Sequence, residues 1–382
     1  MTVLAGCRVV TPGGVLDPGW VEVHEGRIAA VGVGMPAGRN GRAEKAVTDL
    51  DGTWLLPGFV DLHVHGGGGH DVTASPGDMA AAVAFHRAHG TTRTLVSLVT
   101  APLDMLAEQL SWVADLVEHA PRPDGHVVGA HLEGPFLSHA RCGAQPPQHL
   151  LDPDRAAFAG LVRAARGTIR CITVAPELPG ALDVIADAVD AGVVVAIGHT
   201  DATYDQTAAA FAAGATLTTH LFNCMRPLHH REPGPVGAAL DAAVACELIN
   251  DGVHVHPSII RMVARDPRRL VLVTDAIDAA GAGDGAYVLG GRAVRVHDGQ
   301  ARLAGSGVLA GSTLTMDEAL RRAVVDAGLP IEVAAVAAAT NPARVLGLSG
   351  RCGAIAVGLD ADLVVLDVDL CLVRVMARGV WS

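Results

Sequence analysis

Six side chains of the kinds that bind divalent metal ions follow strand-like segments of the sequence. They are His63, His65, Glu133, His199, His220 and Asp275. Imidazole together with carboxylate suits Zn²⁺, and also Fe²⁺, Mn²⁺ or Co²⁺. A bound ion of this type activates water, and a nearby carboxylate such as Asp275 can accept the proton that the water loses. The pattern therefore predicts a hydrolytic metal centre with Zn²⁺ favoured and Fe²⁺ as the alternative.

The spacing within this set indicates how the side chains share one or two ions per chain. His63 and His65 form an HxH pair, and alternate side chains of a strand point to the same face. Both imidazoles can therefore bind one ion. Glu133, in HLEGPF, is a carboxylate able to bridge two ions, and His199 with His220 could hold the second.

The elements that must position these residues alternate between apolar strand-like segments and Ala-rich segments of helical periodicity. The eight predicted strands are Gly58–His65, Thr92–Thr100, His126–Glu133, Ile169–Glu177, Val193–His199, Leu217–Asn223, Val244–Asp251 and Leu270–Asp275. The predicted helices between them include Met79–His89, Leu103–His119, Asp154–Arg166 and Tyr204–Ala213. Eight buried strands alternating with helices predict an α/β fold, a (β/α)₈ TIM barrel, whose strand ends converge on one mouth.

The chain ends differ from this middle part. Both the first stretch and the last, which includes GAIAVGLDADLVVLD, are strand-like and interrupted by turns. We expect a small β-sandwich domain made of residues 1–57 plus 349–382, and a catalytic barrel domain of residues 58–348. An insertion rich in hairpins at Ala279–Gly307 is followed by closing helices at Thr313–Ala327 and Ile331–Ala339.

Composition and charge narrow the class of protein. The net charge of −12 provides no basic footprint for nucleic acid, and no apolar run reaches transmembrane length. The first residues lack the pattern of a signal peptide, and the seven cysteines include no CxxC pair. We therefore expect a cytoplasmic protein with reduced thiols, without nucleic-acid or membrane partners.

The order of HxH, Glu, His, His and Asp along the strands resembles the amidohydrolase superfamily. Within it, several motifs resemble the N-acetylglucosamine-6-phosphate deacetylases over nearly the whole chain: LEGPF, TVAPE, GHT, HLFNCM, REPG, DGVH and VTDA. LEGPF, HLFN and REPG in combination are specific to that family. The resemblance implies hydrolysis of N-acetyl-D-glucosamine 6-phosphate to D-glucosamine 6-phosphate and acetate.

The resemblance also implies roles for individual residues. Glu133, His199 and His220 would hold the main ion, and Asp275 would act as general base and then as general acid. His254 would polarise the amide carbonyl or hold the substrate. The other substrate-binding residues implied are Ala144, Gln145, Asn223, Cys224, Leu309, Ala310 and Gly311, with Arg231 on the phosphate and Arg261 reaching the phosphate of a neighbouring subunit in a homodimer.

Two departures from the family pattern bear on the site. Some members lack the HxH pair and use one ion, whereas this chain keeps His63 and His65, which favours two ions. Gln145 stands where some members have His, so an amide replaces an imidazole at a position that the resemblance assigns to the sugar site.

Two alternatives stay open at this point. Another amidohydrolase could act on a different amide or a nucleobase. Dihydroorotases and hydantoinases, however, bridge their ions with a carboxylated lysine on a barrel strand, and the only lysine here, Lys45, precedes the barrel. The second alternative is a non-catalytic barrel that serves as a binding protein, and inability to bind a divalent ion would favour it.

Overall fold

A computed structural model describes residues 1–34, 46–119 and 126–382 of the chain, so Lys45 lies outside the described residues. Its central feature is one sheet of eight parallel strands that pair in chain order. The barrel strands, first to eighth, are Phe59–Asp61, Thr91–Val99, Val127–Glu133, Ile169–Val174, Val194–Ile197, Leu217–Thr218, Ala245–Ile249 and Leu270–Val273. All eight predicted strands are present, and the predicted (β/α)₈ barrel is confirmed.

Residues just beyond the first and eighth barrel strands bring the two ends of this sheet together. Asp275 N donates to His63 O at 2.8 Å, and Val64 forms a parallel bridge with Ala276. Within the wall, Thr274 Oγ1 donates to the buried carboxylate of Asp61 at 2.7 Å. These bonds hold the HxH segment beside Asp275.

Helices surround the barrel and follow the Ala-rich segments of the sequence. The α-helices are Pro76–Ala88, Leu103–His119, Arg155–Ala164, Ala181–Asp190, Tyr204–Ala212, Gly234–Ala242, Pro257–Val263, Met316–Val325, Ile331–Ala335 and Asn341–Val345. Short 3₁₀ helices span His139–Arg141 and Pro147–His149, and a π-helical turn spans Val336–Thr340. Pro76–Ala88 begins ahead of the predicted Met79 because Ser75 Oγ caps it by accepting from Asp78 N, with Pro76 as the first helical residue.

Burial explains why the strands appear in the sequence as continuous apolar runs. Every residue of Thr91–Val99 is buried, because its neighbours in the barrel wall, the interior and the helices cover it on all sides. Small Ala side chains on the helix faces, such as Ala82 and Ala188, are also fully buried. Close helix-to-sheet packing follows from this composition.

Both chain ends contribute to a second sheet, as predicted. Its eight strands are Thr2–Thr11, Gly14–His24, Arg27–Val33, Ala46–Asp49, Trp54–Pro57, Leu363–Leu366, Leu372–Ala377 and Val380–Trp381. Trp54–Pro57 joins the two ends, since it pairs with Thr2–Thr11 on one side and with Leu363–Leu366 on the other. This sheet has an apolar core of its own, and the domain boundaries after residues 57 and 348 stay a prediction.

The predicted hairpin-rich insertion is a three-stranded antiparallel sheet beside the barrel mouth. Its strands are Gly285–Leu289, Arg292–His297 and Gln300–Leu303. A two-stranded pair, Gly66–Gly67 with His70–Asp71, follows the HxH segment. Arg292 Nη1 donates to Gly143 O at 3.1 Å and to Gln145 O at 3.2 Å, so the insertion is bonded to the loop after the third barrel strand.

Across the described ranges, none of the helices has the length and hydropathy to cross a membrane.

Candidate metal centre and active site

All six predicted ligands meet at the carboxyl end of the barrel, where they form two buried groups. One group is His63, His65 and Asp275, and the other is Glu133, His199 and His220. Within each group the ligand atoms lie within 4.8 Å of one another. The strand ends therefore converge as a (β/α)₈ barrel requires, although the assignment of each residue as a ligand stays a prediction.

Glu133 lies between the two groups. Its Oε1 is 3.0 Å from His199 Nε2 and 3.1 Å from His220 Nε2. Its other oxygen, Oε2, is 3.2 Å from His65 Nε2. A carboxylate with one oxygen toward each group has the placement that a bridge between two ions needs.

Asp275 faces the HxH pair. Its Oδ1 lies 3.2 Å from His65 Nε2 and 3.4 Å from His63 Nε2. The side chain also borders the cavity above the cluster. Asp275 can therefore reach both a bound ion and a water molecule in that cavity.

The arrangement of the ring nitrogens fits a divalent cation. His63 Nε2 and His65 Nε2 are 3.0 Å apart, and His199 Nε2 and His220 Nε2 are 3.1 Å apart. Two inward lone pairs at such a distance repel each other unless a proton or a cation lies near both. Nitrogen and carboxylate donors in this combination suit a zinc-type ion.

Hydrogen bonds from the outer ring nitrogens of two of these histidines also fit the binding of a divalent cation. His65 Nδ1 donates to Ser97 O at 3.1 Å, and His199 Nδ1 donates to Arg141 O at 3.0 Å. A ring that donates from Nδ1 keeps its Nε2 lone pair directed inward, which is how protein backbones orient metal-binding histidines.

Three of the six residues have backbone conformations that are unusual for their type. The φ angles are +46° at His199, +29° at His220 and +49° at Asp275. Left-handed φ is costly for residues other than glycine and is concentrated at functional sites. In each case the unusual residue comes two positions after the end of its barrel strand, where the chain turns and the side chain enters the mouth.

The electrostatics of the cluster favour ionised carboxylates. Burial opposes the charge of Glu133. The positive charge of His63 and the hydrogen bonds that His199 and His220 donate when their Nε2 atoms carry protons in place of an ion outweigh burial and hold the pKa of Glu133 well below its ordinary value. Burial likewise opposes the charge of Asp275, yet His63 and His65 lower the pKa of Asp275 to about 2. Both carboxylates are therefore charged at neutral pH, as metal ligation and base catalysis require.

A cavity opens above the cluster and is bordered by most of the predicted substrate-binding residues. These are Ala144, Gln145, Asn223, Cys224, His254, Leu309 and Gly311. Ala310 is fully buried between two of them, and its N–H donates to Ala301 O in the inserted sheet. Ala310 therefore does not lie at the cavity surface, where its predicted contact with substrate would have to form.

His254 is held in the cavity wall by a carboxylate. Its Nδ1 lies 2.7 Å from Asp251 Oδ2, and the His254 side chain is almost buried. Burial raises the pKa of Asp251, but the hydrogen bond and charge of His254 outweigh this and lower it overall. The pair orients the ring and leaves Nε2 available for a substrate atom.

Gln145 contacts a predicted metal ligand with its side-chain amide. Its Oε1 accepts from Thr100 N at 2.8 Å, and its Nε2 donates to Glu133 Oε2 at 2.5 Å. With both ends of the amide engaged, a hydrogen bond to a sugar hydroxyl would compete with the bond to Glu133.

The two predicted phosphate-binding arginines lie apart from the cavity within a single chain. Arg231 is exposed, donates to His230 Nε2 at 2.7 Å and borders a different surface cavity together with Arg226. Arg261 lies on helix Pro257–Val263, where its Nη1 is 3.5 Å from Ala327 O. The roles of both arginines stay predictions.

Two buried polar residues of the barrel interior were missed or left unassigned by sequence reasoning. Glu247, on the seventh barrel strand, lies against His63 and His220. His131 bonds Ser97 Oγ at 2.9 Å and Thr173 Oγ1 at 2.8 Å below the cluster. The available signal was a charged residue, Glu247, within the apolar run AVACELIN.

Comparisons with known proteins agree with this geometry. The sequence model of the amidohydrolase family matches residues 54–381. An N-acetylgalactosamine-6-phosphate deacetylase of Escherichia coli O157:H7 is 39% identical, covering 99% of this chain and 98% of the relative. An N-acetylglucosamine-6-phosphate deacetylase of Bacillus subtilis is 35% identical, covering 97% and 94%. A mutant N-acetyl-D-glucosamine-6-phosphate deacetylase from Mycobacterium smegmatis, solved with N-acetyl-D-glucosamine-6-phosphate, is 46% identical with a TM-score of 0.93, covering 100% and 98%.

Proposed function

Since this chain belongs to the amidohydrolase family, we propose that it hydrolyses the acetamide of an N-acetylhexosamine 6-phosphate to acetate and the amino-sugar phosphate. The observation that carries the proposal is the buried Glu133–His199–His220 group with Asp275 beside it at the floor of an open cavity. Named deacetylases related over nearly the whole chain support the reaction.

We propose that Zn²⁺ occupies this centre, with Fe²⁺ as the alternative. Glu133, His199 and His220 would hold one ion, and His63, His65 and Asp275 would hold a second, with Glu133 facing both. When bound, such an ion polarises the acetyl carbonyl and lowers the pKa of water toward neutrality. The two complete donor sets support two ions per chain.

The protein side chains would move the proton. Asp275, which is ionised at neutral pH, takes a proton from the attacking water as the new C–O bond forms. It then returns that proton to the nitrogen as the C–N bond breaks, so that acetic acid and a neutral amine form, and transfer of the acid's proton to the amine gives acetate and an ammonium group. His254, oriented by Asp251, would donate to the acetyl carbonyl or to a substrate hydroxyl.

The substrate we favour is N-acetyl-D-glucosamine 6-phosphate, because the M. smegmatis deacetylase solved with that compound is 46% identical to this chain. N-Acetyl-D-galactosamine 6-phosphate is a second candidate, because the E. coli deacetylase named for it is 39% identical over 380 residues. The two sugars differ only in the configuration at C4, so discrimination depends on contacts to one hydroxyl.

We also propose a cytoplasmic homodimer in which Arg231 and Arg261 help to bind the phosphate. A guanidinium group pairs well with phosphate, and neither side chain borders the cavity of its own chain, which supports a contribution across a subunit interface. All seven cysteines, each within the described residues, are free thiols, which supports a reducing compartment.

Acetate release from the two phosphorylated sugars by zinc-loaded protein tests the substrate assignment. We expect kcat/KM to be highest for the glucosamine compound, lower for its C4 epimer, and lowest for unphosphorylated N-acetylglucosamine. A higher kcat/KM for the galactosamine compound would show that N-acetyl-D-galactosamine 6-phosphate is the preferred substrate. No acetate from any of the three would refute the proposed reaction.

A further inference from the structure

The barrel interior holds a carboxylate to which the proposed reaction gives no role. Glu247 lies on the seventh barrel strand, Ala245–Ile249, and its residue surface is 1% exposed. Burying a carboxylate is costly unless hydrogen bonds or charges compensate for the lost hydration. Its contacts therefore need an explanation.

Those contacts are with the histidines of the metal centre. Glu247 Oε2 lies 3.4 Å from His63 Nδ1 and 3.3 Å from His220 N. The backbone of Glu247 also contacts the residue that follows His220, because Leu221 N donates to Glu247 O at 2.8 Å. One carboxylate thus reaches one histidine from each of the two groups of ligands.

We propose that Glu247 is a positioning residue that fixes the orientation and the tautomer of His63. A proton on His63 Nδ1 directed at Glu247 leaves the Nε2 lone pair facing His65 Nε2, 3.0 Å away, and Asp275 Oδ1, 3.4 Å away. Such outer contacts determine which ring nitrogen is available to a metal ion.

The nature of the acceptor distinguishes His63 from the two other oriented rings. His65 and His199 donate to the neutral backbone carbonyls of Ser97 and Arg141, whereas His63 faces a carboxylate. A carboxylate that accepts from Nδ1 adds negative charge on the side of the ring opposite the cation, which a backbone carbonyl does not. Glu247 therefore strengthens the ion site made by His63, His65 and Asp275. This consequence for affinity rests on the proposed binding of two ions.

Three variants separate the charge, the hydrogen bond and the packing. Glu247→Gln keeps a carbonyl oxygen as acceptor without the charge, and Glu247→Leu fills a similar volume without any acceptor. Cys246→Ala is the matched control, because Cys246 is the preceding buried residue of the same strand and its Sγ contacts Val244 O instead of a ligand.

The first readout is NMR of zinc-loaded protein labelled with ¹⁵N-histidine, in which the His63 Nδ1–H resonance is identified by its loss in His63→Asn. We expect a downfield, slowly exchanging proton in the wild type and in Cys246→Ala. It should shift upfield in Glu247→Gln and exchange rapidly in Glu247→Leu. An unchanged resonance in the folded Glu247→Leu variant would overturn the proposal.

The second readout is Zn²⁺ affinity, measured by competition with a chelator. We expect Glu247→Gln to lower the Zn²⁺ affinity of the more weakly binding site by about tenfold, and Glu247→Leu to lower it by up to about a hundredfold. Wild-type protein that binds one ion would refute two-ion occupancy, while the NMR result would still decide the role of Glu247. Equal affinities in the wild type and in Glu247→Leu, with two ions bound, would contradict the inferred effect on the second site.

Discussion

The amide of Gln145 donates to Glu133 Oε2 at 2.5 Å, so a cavity residue supports the carboxylate at the centre of the cluster. The same amide accepts from Thr100 N, which anchors it to the end of the second barrel strand. The contact gives Gln145 a position from which it can control the orientation of Glu133.

Gln145→Ala should therefore loosen Glu133. We expect Zn²⁺ affinity and kcat/KM each to fall by about tenfold to a hundredfold, the usual cost of losing an outer contact to a metal ligand. Gln148→Ala is the control, since Gln148 is an exposed residue of the same loop. A higher KM with unchanged zinc affinity would instead assign Gln145 to sugar binding alone.

Asp275→Asn should abolish most of the turnover. An amide cannot take the proton from water, so we expect kcat to fall by about 10²- to 10⁴-fold with KM changed little. Asp278→Asn, which alters a half-buried carboxylate three positions away, should keep most of the activity. Zinc content must be measured on the same samples, because near-normal turnover of Asp275→Asn with zinc bound would exclude Asp275 as the general base.

Arg231→Ala tests the proposed phosphate contact. Loss of a guanidinium–phosphate pair should raise KM for the phosphorylated sugar at least tenfold and leave kcat/KM for unphosphorylated N-acetylglucosamine unchanged. Arg265→Ala removes another exposed arginine and should have no effect on either substrate. Equal effects of Arg231→Ala on both substrates would remove Arg231 from the phosphate site.

His86 should make the stability of the fold depend on pH. Burial lowers the pKa of His86 to about 4, and its Nε2 donates to Gly66 O at 2.8 Å, close to the HxH segment. The unfolded chain, with a pKa near 6.5, binds the proton more readily, so this stabilisation is complete above about pH 6.5 and is lost as the pH falls toward 4.

The corresponding experiment compares urea unfolding at pH 7 and pH 5. His86 should account for about 2 kcal/mol of the stability that the wild type loses between these two pH values. His86→Gln can still donate to Gly66 O, and its free energy of unfolding should fall less between the two pH values by about that amount. The exposed control His119→Gln should lose as much stability as the wild type. Identical losses in His86→Gln and in the wild type would show that His86 titrates normally.

The barrel was predictable because its strands are buried on both faces. Continuous apolar runs such as Thr91–Val99 are therefore visible in the sequence, as is the helical periodicity of Leu103–His119, which the structure reproduces with the same bounds. The convergence of His63, His199 and Asp275 followed from the fold itself, since parallel barrel strands bring their carboxyl ends together.

Contacts between distant segments were not predictable in the same way. Nothing in the local sequence links Glu247 to His63, which is 184 residues away, or links the amide of Gln145 to Glu133. The strands also end earlier than predicted, because residues such as His220 leave the ladder with positive φ, a conformation that the residue type does not signal. The position of Arg231 outside the cavity depends on loop geometry, which motif reasoning does not provide.

The most direct test of metal-dependent deacetylation is to titrate metal-free protein with Zn²⁺ while measuring both bound zinc and acetate released from N-acetyl-D-glucosamine 6-phosphate. Without zinc we expect no turnover, and activity should rise in proportion to the ions bound at the cluster, whereas His199→Asn should not regain activity when zinc is added. Undiminished acetate release by the metal-free protein would contradict metal-dependent deacetylation.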